Sequence, residues 1–504
     1  MHLGWALAAA ARRYPERPAI TRGEEVLSYA RWYRSVAELA GWLRQNGVGL
    51  GDRVAMSMRN REELARLYLA AQLAGAVAVP ISFRFGPDEL GYVLEDSGAQ
   101  ALFVDDSTAD AGAALASGPR LLLHVDELSS AVAGTEPVAP PGNDDRPLSV
   151  ILYTSGTTGR PKGVPRTHRA EYAASAGHVI QCELKTGERT LGAMPINHTM
   201  GIRALLSTLL LNGLYVPVGS VSDGPALDLL AEHEVSSLYL VPSAYHILLD
   251  RMEEAGTRFP HCRRLAYAGA PMPGVLVERC AGAFEPETFV NHYGSTEIYT
   301  FTTSHRQGQK PGCAGRPGFH TQVRLVRAAL EERVAPDEEV APGATGEVIV
   351  SIEGDEAFAG YLHRPDATAA VLRDGWYFTR DLGRLDTEGD LWVKGRVDDM
   401  INTGGENVHP LEIEEVLARH PEVAEVVVCG LPDERWGQAV TAFVVPRPGA
   451  SLSAADLVAH TRTSPLAAYK RPRRVVIVRS IPKSPVGKIL RRELQQGHYE
   501  EATA

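Results

Sequence analysis

Tyr153-Thr-Ser-Gly-Thr-Thr-Gly-Arg-Pro-Lys-Gly163 crowds three glycines, four aliphatic hydroxyls and one lysine into eleven residues. It follows the apolar run Ser149 to Leu152 and precedes a helical period from Thr167 to Ala176, so the local reading is strand, loop, helix. Gly156, Gly159 and Gly163 let the backbone approach an anion closely. Thr154, Ser155, Thr157 and Thr158 offer donors, and Lys162 adds charge. The chemistry is that of a phosphate cradle. It is not the G-x-x-x-x-G-K-[ST] loop, because Gly163 follows Lys162. A flexible surface loop is the competing reading, and the density of donors between glycines argues against it.

Working outward from the cradle, the preceding segment Leu27 to Asp105 alternates helical and strand-like stretches: Tyr29 to Leu43, Arg53 to Ser57, Glu62 to Ala74, Ala76 to Ile81. The same rhythm recurs to Val241. That pattern predicts an α/β protein with parallel sheets covered by helices. Val132 to Arg146, rich in Pro, Gly and Asp, predicts a surface connection. After Ala314 the segments shorten, and stretches such as Gly346 to Ile352 and Leu391 to Lys394 predict a strand-rich subdomain. Past Arg396 the expected order is helix (Leu411 to Arg419), strand (Val423 to Cys429), strand (Ala439 to Val445), helix (Ala454 to Thr461), strand (Val475 to Arg479), and a helix over Ile489 to Leu494. This describes a small α+β unit. The polar stretch Gly395 to Asp399 is the candidate hinge, giving a large N-terminal domain over 1–396 and a mobile C-terminal domain over 397–504.

At 504 residues the chain has room for about three domains of roughly 150 residues. The 62 acidic residues outnumber the 51 Lys and Arg, for a formal charge of -11, which disfavours nucleic acid as a partner. Cys182, Cys262, Cys280, Cys313 and Cys429 are scattered with no C-x-x-C pair, which fits neither a disulfide framework nor a zinc site and points to a reducing, cytoplasmic setting. The arginines of the first apolar run follow it rather than precede it, so no secretory leader is read. Leu205 to Val218 is too short and interrupted to span a bilayer. Gly47-Val-Gly-Leu-Gly51 lacks a preceding strand and reads as a turn.

With the loop in hand, three further motifs complete a pattern. Tyr293-Gly-Ser-Thr-Glu297, Gly395-Arg-Val-Asp-Asp-Met-Ile401 with Gly404-Gly405-Glu406, and Pro482-Lys-Ser-Pro-Val-Gly-Lys488 follow in order along most of the chain. Together with the loop they resemble the signatures of the acyl- and aryl-CoA synthetases within the adenylate-forming enzymes. Gly375-Trp-Tyr, Asp398-Asp-Met-Ile and Arg435-Trp-Gly-Gln438 are most similar to the halobenzoate-CoA ligases.

That resemblance implies ATP, Mg²⁺ and coenzyme A as cofactors and a small carboxylic acid as substrate. The acid would be activated as an acyl-adenylate with release of pyrophosphate and then passed to the CoA thiol with release of AMP. Lys488 would bridge the carboxylate and the α-phosphate; an ordinary surface lysine is the alternative. Thr296 would sit by the α-phosphate, Glu297 would hold Mg²⁺, and Tyr293 and Gly294 would border the adenine. Asp381 and Arg396 would take the ribose hydroxyls. Many relatives have Gly before this Asp, whereas this chain has Arg380. Asp398 aligns with the residue about which the C-terminal domain turns between half-reactions. Gly404 and Gly405 would line the pantetheine tunnel or form a plain turn, and Trp436 would flank it or simply pack. Arg471 and Arg473, in a basic cluster with Lys470 and Arg474, would bind the 3′-phosphate of CoA with Arg84, or form a solvated charge run.

The acyl pocket implied by the resemblance lies around Asn197, His198, Met200, Ala268, Gly269, Ala270 and Gly294. His198 would gate the carboxylate or be a satisfied core histidine. No Asp lies in 195–201 to hold a substrate ammonium, which disfavours amino acids. Tyr239, Tyr245, Met200 and Tyr299 would form a flat slot, favouring an aryl or short acid. Two other readings stay open: a freestanding adenylating enzyme serving a carrier protein or another nucleophile, and a nucleotide-binding regulator without catalysis. A homodimer is among the assemblies the sequence leaves open.

Overall fold

A computed structural model describes residues 1–115, 118–154, 160–329, 332–483 and 489–502, with the side chain of Asn407 excepted. The chain divides into two compact units, one of residues 1–323 and 350–377, the other of 324–349 and 378–504.

The first unit is built on two parallel-rich sheets. A six-stranded sheet runs in the order Leu121–His124, Ala101–Val104, Arg53–Ser57, Val77–Ile81, Leu148–Thr154, Lys162–Thr167. All its neighbours are parallel except the last pair. A nine-stranded sheet has a parallel centre that includes Ser237–Leu240, Arg264–Ala268 and Thr288–Tyr293, with antiparallel strands at both ends. Val77–Ile81 is buried at every residue, as expected of a strand whose two faces are both covered by helices. In the helix Glu62–Ala74 every residue but Glu63 is buried, and Thr199–Leu210 is nearly as enclosed. Both read as apolar around most of their circumference, the signature of a helix sandwiched inside a layered core.

The predicted passage from the phosphate loop into a helix at Thr167 is corrected here. Lys162–Thr167 is a strand that returns antiparallel beside Leu148–Thr154, with Thr154 opposite Lys162. The helix His168–Gln181 starts only afterwards, its N-cap Thr167 accepting from the Ala170 amide at 3.1 Å. Gly163, Val164 and Arg166 are buried while Lys162, Pro165 and Thr167 are half-buried, and the strand lies at the sheet edge, where Pro165 costs no ladder bond.

In the second unit, Asp381–Leu385, the last part of the strand Trp376–Leu385, pairs antiparallel with Leu391–Arg396, with a bulge between Leu382 and Gly383. Its last part is a sheet ordered Glu406–Val408, Ile401–Thr403, Gly437–Pro446, Val423–Asp433, with Arg474–Ile477 parallel to Gly437–Pro446. Helices Pro410–Leu417 and Ala454–Arg462 pack on it through Ile413, Leu417 and Leu457. The final helix is Arg491–Gln495 rather than one beginning at Ile489. Ile489 instead bridges to Lys483, and Leu490 N–H donates to the Pro482 carbonyl. Among the described residues no helix is long and apolar enough to cross a membrane.

Candidate active site

Of the cradle, Thr154 and Lys162 are described and stand opposite one another as the last and first residues of paired strands. Ser155, Gly156, Thr157, Thr158 and Gly159 lie outside the described residues. The base of the loop is tied down on both sides. Tyr92 donates to the Pro161 carbonyl at 3.0 Å, and Leu362 N–H donates to the Gly163 carbonyl at 2.9 Å. A side chain on Gly163 would start 3.1 Å from Leu362 Cβ and 3.2 Å from Ile151 Cγ2, so these neighbours would have to give way by a few tenths of an ångström.

Tyr293-Gly-Ser-Thr-Glu297 is a tight turn at the end of Thr288–Tyr293. Ser295 closes it by donating its N–H to the Ile298 carbonyl and accepting at Oγ from Glu297 N–H. A Cβ on Gly294 would lie 2.1 Å from the Tyr299 carbonyl oxygen, which excludes any side chain there. The turn is gripped from below by Arg166, whose Nη1 donates to the carbonyls of Thr296 (3.2 Å) and Glu297 (3.1 Å). Arg166 is in turn fixed by Glu171 at 2.5 Å and by stacking 3.7 Å from the Tyr299 ring, whose hydroxyl donates to the other Glu171 oxygen. Both charges of this pair are fully buried. Sequence reasoning missed Arg166 and Glu171; their spacing on either side of a helix start carries no motif.

The loop and the turn meet at a residue that sequence reasoning also missed. Tyr361 donates from its hydroxyl to Glu297 Oε1 at 2.6 Å, and Lys162 Nζ lies 5.1 Å from the centre of the same ring. Glu297 is nearly buried, and its Oε2 has no hydrogen-bond partner among the described residues. Tyr293 stands half-buried at the strand end, its ring edge-on to Phe301 at 5.0 Å. Ala268 is level with His292 on the neighbouring strand, and exposed Gly269 and Ala270 follow it.

Behind these strand ends lies the expected acyl slot. Asn197 Nδ2 is 3.0 Å from His198 Nε2, and burial lowers the His198 pKa to about 4, so the imidazole is neutral at physiological pH. Met200, Tyr239 and Tyr299 are all buried. Tyr245 does not join them: it is fully enclosed in the core and donates to the carbonyls of Leu238 and Ala266. Against Tyr239 lies a polar group that no motif announced. Arg203, 1% exposed, has Nη1 at 3.4 Å from Tyr239 Oη and 3.5 Å from the Tyr299 carbonyl, and Nη2 at 3.4 Å from His292 Nδ1. Accepting from Arg203 leaves His292 its proton on Nε2, which faces Cys182 Sγ at 3.2 Å; that sulfur is 3.6 Å from His178 Nδ1. Burial keeps both imidazoles neutral and pushes the Cys182 thiol up to about 12.

In the second unit, Asp381 and Arg396 are register partners across the strand pair and form an ion pair, Nη1 to Oδ1 2.7 Å. Asp398 is held by Arg380 at 2.7 Å and lies 3.6 Å from Arg396 Nη2. Arg380 takes a left-handed backbone, φ 62°, the conformation in which glycine is ordinarily preferred. Gly404 has φ 64° and donates its N–H to the Trp436 carbonyl; a Cβ there would start 2.8 Å from the indole ring. Gly405 has φ 85°. Arg473 stacks on the other expected residue, Trp436, at 4.2 Å, and so does Arg435 at 4.8 Å. Arg471 caps the Leu466 carbonyl, and Lys470 is neutralised by Glu412 at 2.5 Å, so the basic run is partly spent on the fold. Arg84, exposed in the first unit, lies 5.4 Å from the Phe83 ring. Lys488 lies outside the described residues. Arg491, three positions on, is locked to buried Glu414 at 2.7 Å, and that carboxylate also accepts from Val428 N–H.

The family model described as AMP-binding enzyme matches residues 7–362, and that of the AMP-binding enzyme C-terminal domain matches 412–488. The chain is 36% identical to a feruloyl-CoA synthase from Amycolatopsis sp over 96% of its own length and 97% of the relative's. It is 33% identical to a 4-chlorobenzoate-CoA ligase from Arthrobacter sp, covering 93% and 90% of the two chains. Among solved structures it is similar to the o-succinylbenzoate CoA synthetase of Bacillus subtilis in complex with its acyl-adenylate intermediate, with TM-score 0.85, 29% identity and 99% of each chain covered. The chain therefore belongs to the AMP-binding enzymes, within the adenylate-forming acyl- and aryl-CoA synthetases.

Proposed function

We propose that this protein is an ATP-dependent, AMP-forming acid-CoA ligase acting on an aryl or short-chain carboxylic acid. The observation that carries the reading is Tyr361, which touches both the loop lysine and the carboxylate of the Y-G-x-T-E turn. A phosphate chain laid along the loop would then run from Lys162 toward Glu297. The acid's carboxylate oxygen attacks the α-phosphorus, the bond to the bridging oxygen breaks, and pyrophosphate leaves with the electron pair. In-line transfer of this kind needs charge neutralisation and alignment rather than covalent help. Lys488 is assigned the task of bridging carboxylate and α-phosphate, Thr296 is assigned to the α-phosphate, and the Asp381 and Arg396 pair presents an acceptor and a donor for ribose hydroxyls.

Glu297 fits Mg²⁺, a hard cation that takes one or two carboxylates and otherwise phosphate and water oxygens; its Oε2 is the candidate ligand. When bound, the ion neutralises charge on the triphosphate. In the second step the CoA thiolate attacks the acyl carbon and AMP departs. Residues 397–504 would act as the lid that turns about Asp398, with Gly404, Gly405, Trp436 and Arg473 offered to CoA, together with Arg84 and Arg471. The feruloyl and chlorobenzoate substrates of the relatives, and the missing acidic residue in 195–201, support an aryl acid over an amino acid.

Incubation with ATP, Mg²⁺, CoA and a panel of benzoates, cinnamates and linear acids tests the reading. An acyl-CoA, AMP and pyrophosphate in equal amounts are expected. Adenylate without thioester assigns the chain to carrier-protein acylation instead, and background pyrophosphate across the panel sinks ligase chemistry altogether.

A further inference from the structure

The helix Pro87–Ser97 presents Tyr92 and Asp96 four positions apart on one face, and between them they reach both sides of the phosphate loop. Asp96 accepts from the Tyr153 hydroxyl at 2.9 Å, at the residue just before Thr154. Tyr92 donates to the Pro161 carbonyl at 3.0 Å, at the residue just before Lys162. Arg364 joins the two: its Nη2 donates to Asp96 Oδ1 at 3.1 Å and to the Tyr92 hydroxyl oxygen at 2.7 Å. The result is one relay, Arg364 to Tyr92 to Pro161, anchored on a carboxylate whose two oxygens each hold a different partner. The same arginine fixes the segment that carries Tyr361. Thr368 Oγ1 accepts from Tyr361 N–H at 2.9 Å and donates to the Arg364 carbonyl at 2.9 Å, while Leu362 N–H donates to the Gly163 carbonyl. Lys162 thus sits between two anchored neighbours, and Tyr361, which meets both Lys162 and Glu297, belongs to the segment that Asp96 holds through Arg364. All of these residues lie in the first unit.

Nothing in the helix itself asks for an acid at position 96. A carboxylate in the last turn faces the negative end of the helix dipole. The Asp96 side chain is also only 8% exposed, so it is poorly hydrated, and its two donors offset both costs. Burial, together with the Asp96 charge, pushes the Tyr153 phenol well up, so it stays protonated and donates throughout the physiological range. An ordinary surface ion pair would engage Arg364 alone, whereas here a buried phenol at the loop is engaged as well. Resting on the ATP-dependent reading above, we propose that Asp96 is a positioning residue for the adenylation step: through Tyr153, Arg364 and Tyr92 it sets Lys162 and Tyr361 against the pyrophosphate portion of ATP, itself touching neither substrate nor reacting atoms.

The test is calorimetric titration of wild type, Asp96→Asn, Tyr153→Phe and Tyr92→Phe with ATP and Mg²⁺, and separately with AMP. AMP carries no pyrophosphate, so it does not sense the placement of Lys162 and Tyr361, while it reports any general damage to the nucleotide site. In Asp96→Asn the Kd for ATP is expected to rise about tenfold, the worth of one hydrogen bond to a charged group, with the Kd for AMP moved by less than about twofold. KM for ATP in pyrophosphate release should rise in step, and thioester formation from supplied acyl-adenylate should keep its rate. Adding Tyr153→Phe to Asp96→Asn should weaken ATP no further, because both act through one bond. Should Asp96→Asn fail to fold, Tyr92→Phe, which removes a single half-buried hydroxyl, is judged by the same ATP-to-AMP comparison. ATP and AMP weakened alike, or ATP binding unmoved in every folded variant, overturns the positioning role and leaves the ligase reading intact. A wild type that binds ATP but releases no pyrophosphate with any acid overturns the ligase reading, while the ATP-to-AMP comparison still decides the role of Asp96.

Discussion

Tyr361 and Glu297 are 64 positions apart in the chain, and their hydrogen bond is what makes a phosphate loop and a carboxylate turn one site. Removing that hydroxyl with Tyr361→Phe deletes a bond to a charged acceptor, worth about 1.5 kcal/mol, which is roughly tenfold in rate. We expect kcat for pyrophosphate release to fall by that factor and the half-saturating Mg²⁺ concentration to rise; unchanged Mg²⁺ dependence would separate Glu297 from the metal. Lys488→Ala should cut adenylation by about 100-fold or more while sparing thioester formation from supplied acyl-adenylate, and equal loss in both steps would contradict its role. Residues such as Lys162, Glu297 and Gly294 were legible in the sequence because phosphate chemistry and backbone crowding dictate residue type at fixed local spacing. Tyr361, Arg166, Glu171 and Arg203 were not. Each works through contacts with segments distant in sequence, and a lone arginine inside the apolar helix Thr199–Leu210 was the one faint sign.

At the scale of elements, periodicity located Arg53–Ser57 and Glu62–Ala74 to the residue, since a strand covered on both faces and an enclosed helix both write their pattern plainly. It failed at Lys162–Thr167, where Gly163 and Pro165 mimic a loop but an edge strand tolerates both. That strand carries Arg166, so the error concealed the support of the Thr296 and Glu297 carbonyls. Replacing Arg166 by Met strands Glu171 as an unpaired buried charge, and a loss of about 3–5 kcal/mol in unfolding free energy is expected from denaturant titration. A loss below 1 kcal/mol would reduce the pair to surface-like strength. Arg380 holds Asp398 with its guanidinium from a left-handed backbone. A turn about Asp398 in the proposed hinge would have to give up that contact. Arg380→Gly is therefore expected to speed thioester formation from supplied adenylate by up to about fivefold, the worth of a part-exposed ion pair; an unchanged or slower step removes Asp398 from the hinge.

Across the whole molecule, burial keeps several histidines uncharged: His198 and His2 titrate near 4, His168 near 3, and His178 and His292 well below the ordinary 6.5. Unfolded, each would take up a proton below about 6.5. The unfolded state thus binds more protons in the acid range, and stability, fully present above that pH, declines as pH falls toward 4. Urea midpoints should be level from about pH 7 to 8 and drop progressively below 6.5; a flat profile down to pH 5 would contradict the burial of these imidazoles. The largest claim concerns chemistry rather than stability: the acid is activated by forming a bond from its own oxygen to the α-phosphorus of ATP. The measurement that bears on it most directly is isotope transfer from a substrate acid labelled with oxygen-18 in its carboxylate, followed by mass spectrometry after complete conversion to the CoA thioester. The account predicts one labelled oxygen in AMP and none in pyrophosphate; label confined to water, or appearing in inorganic phosphate with ADP, would contradict it.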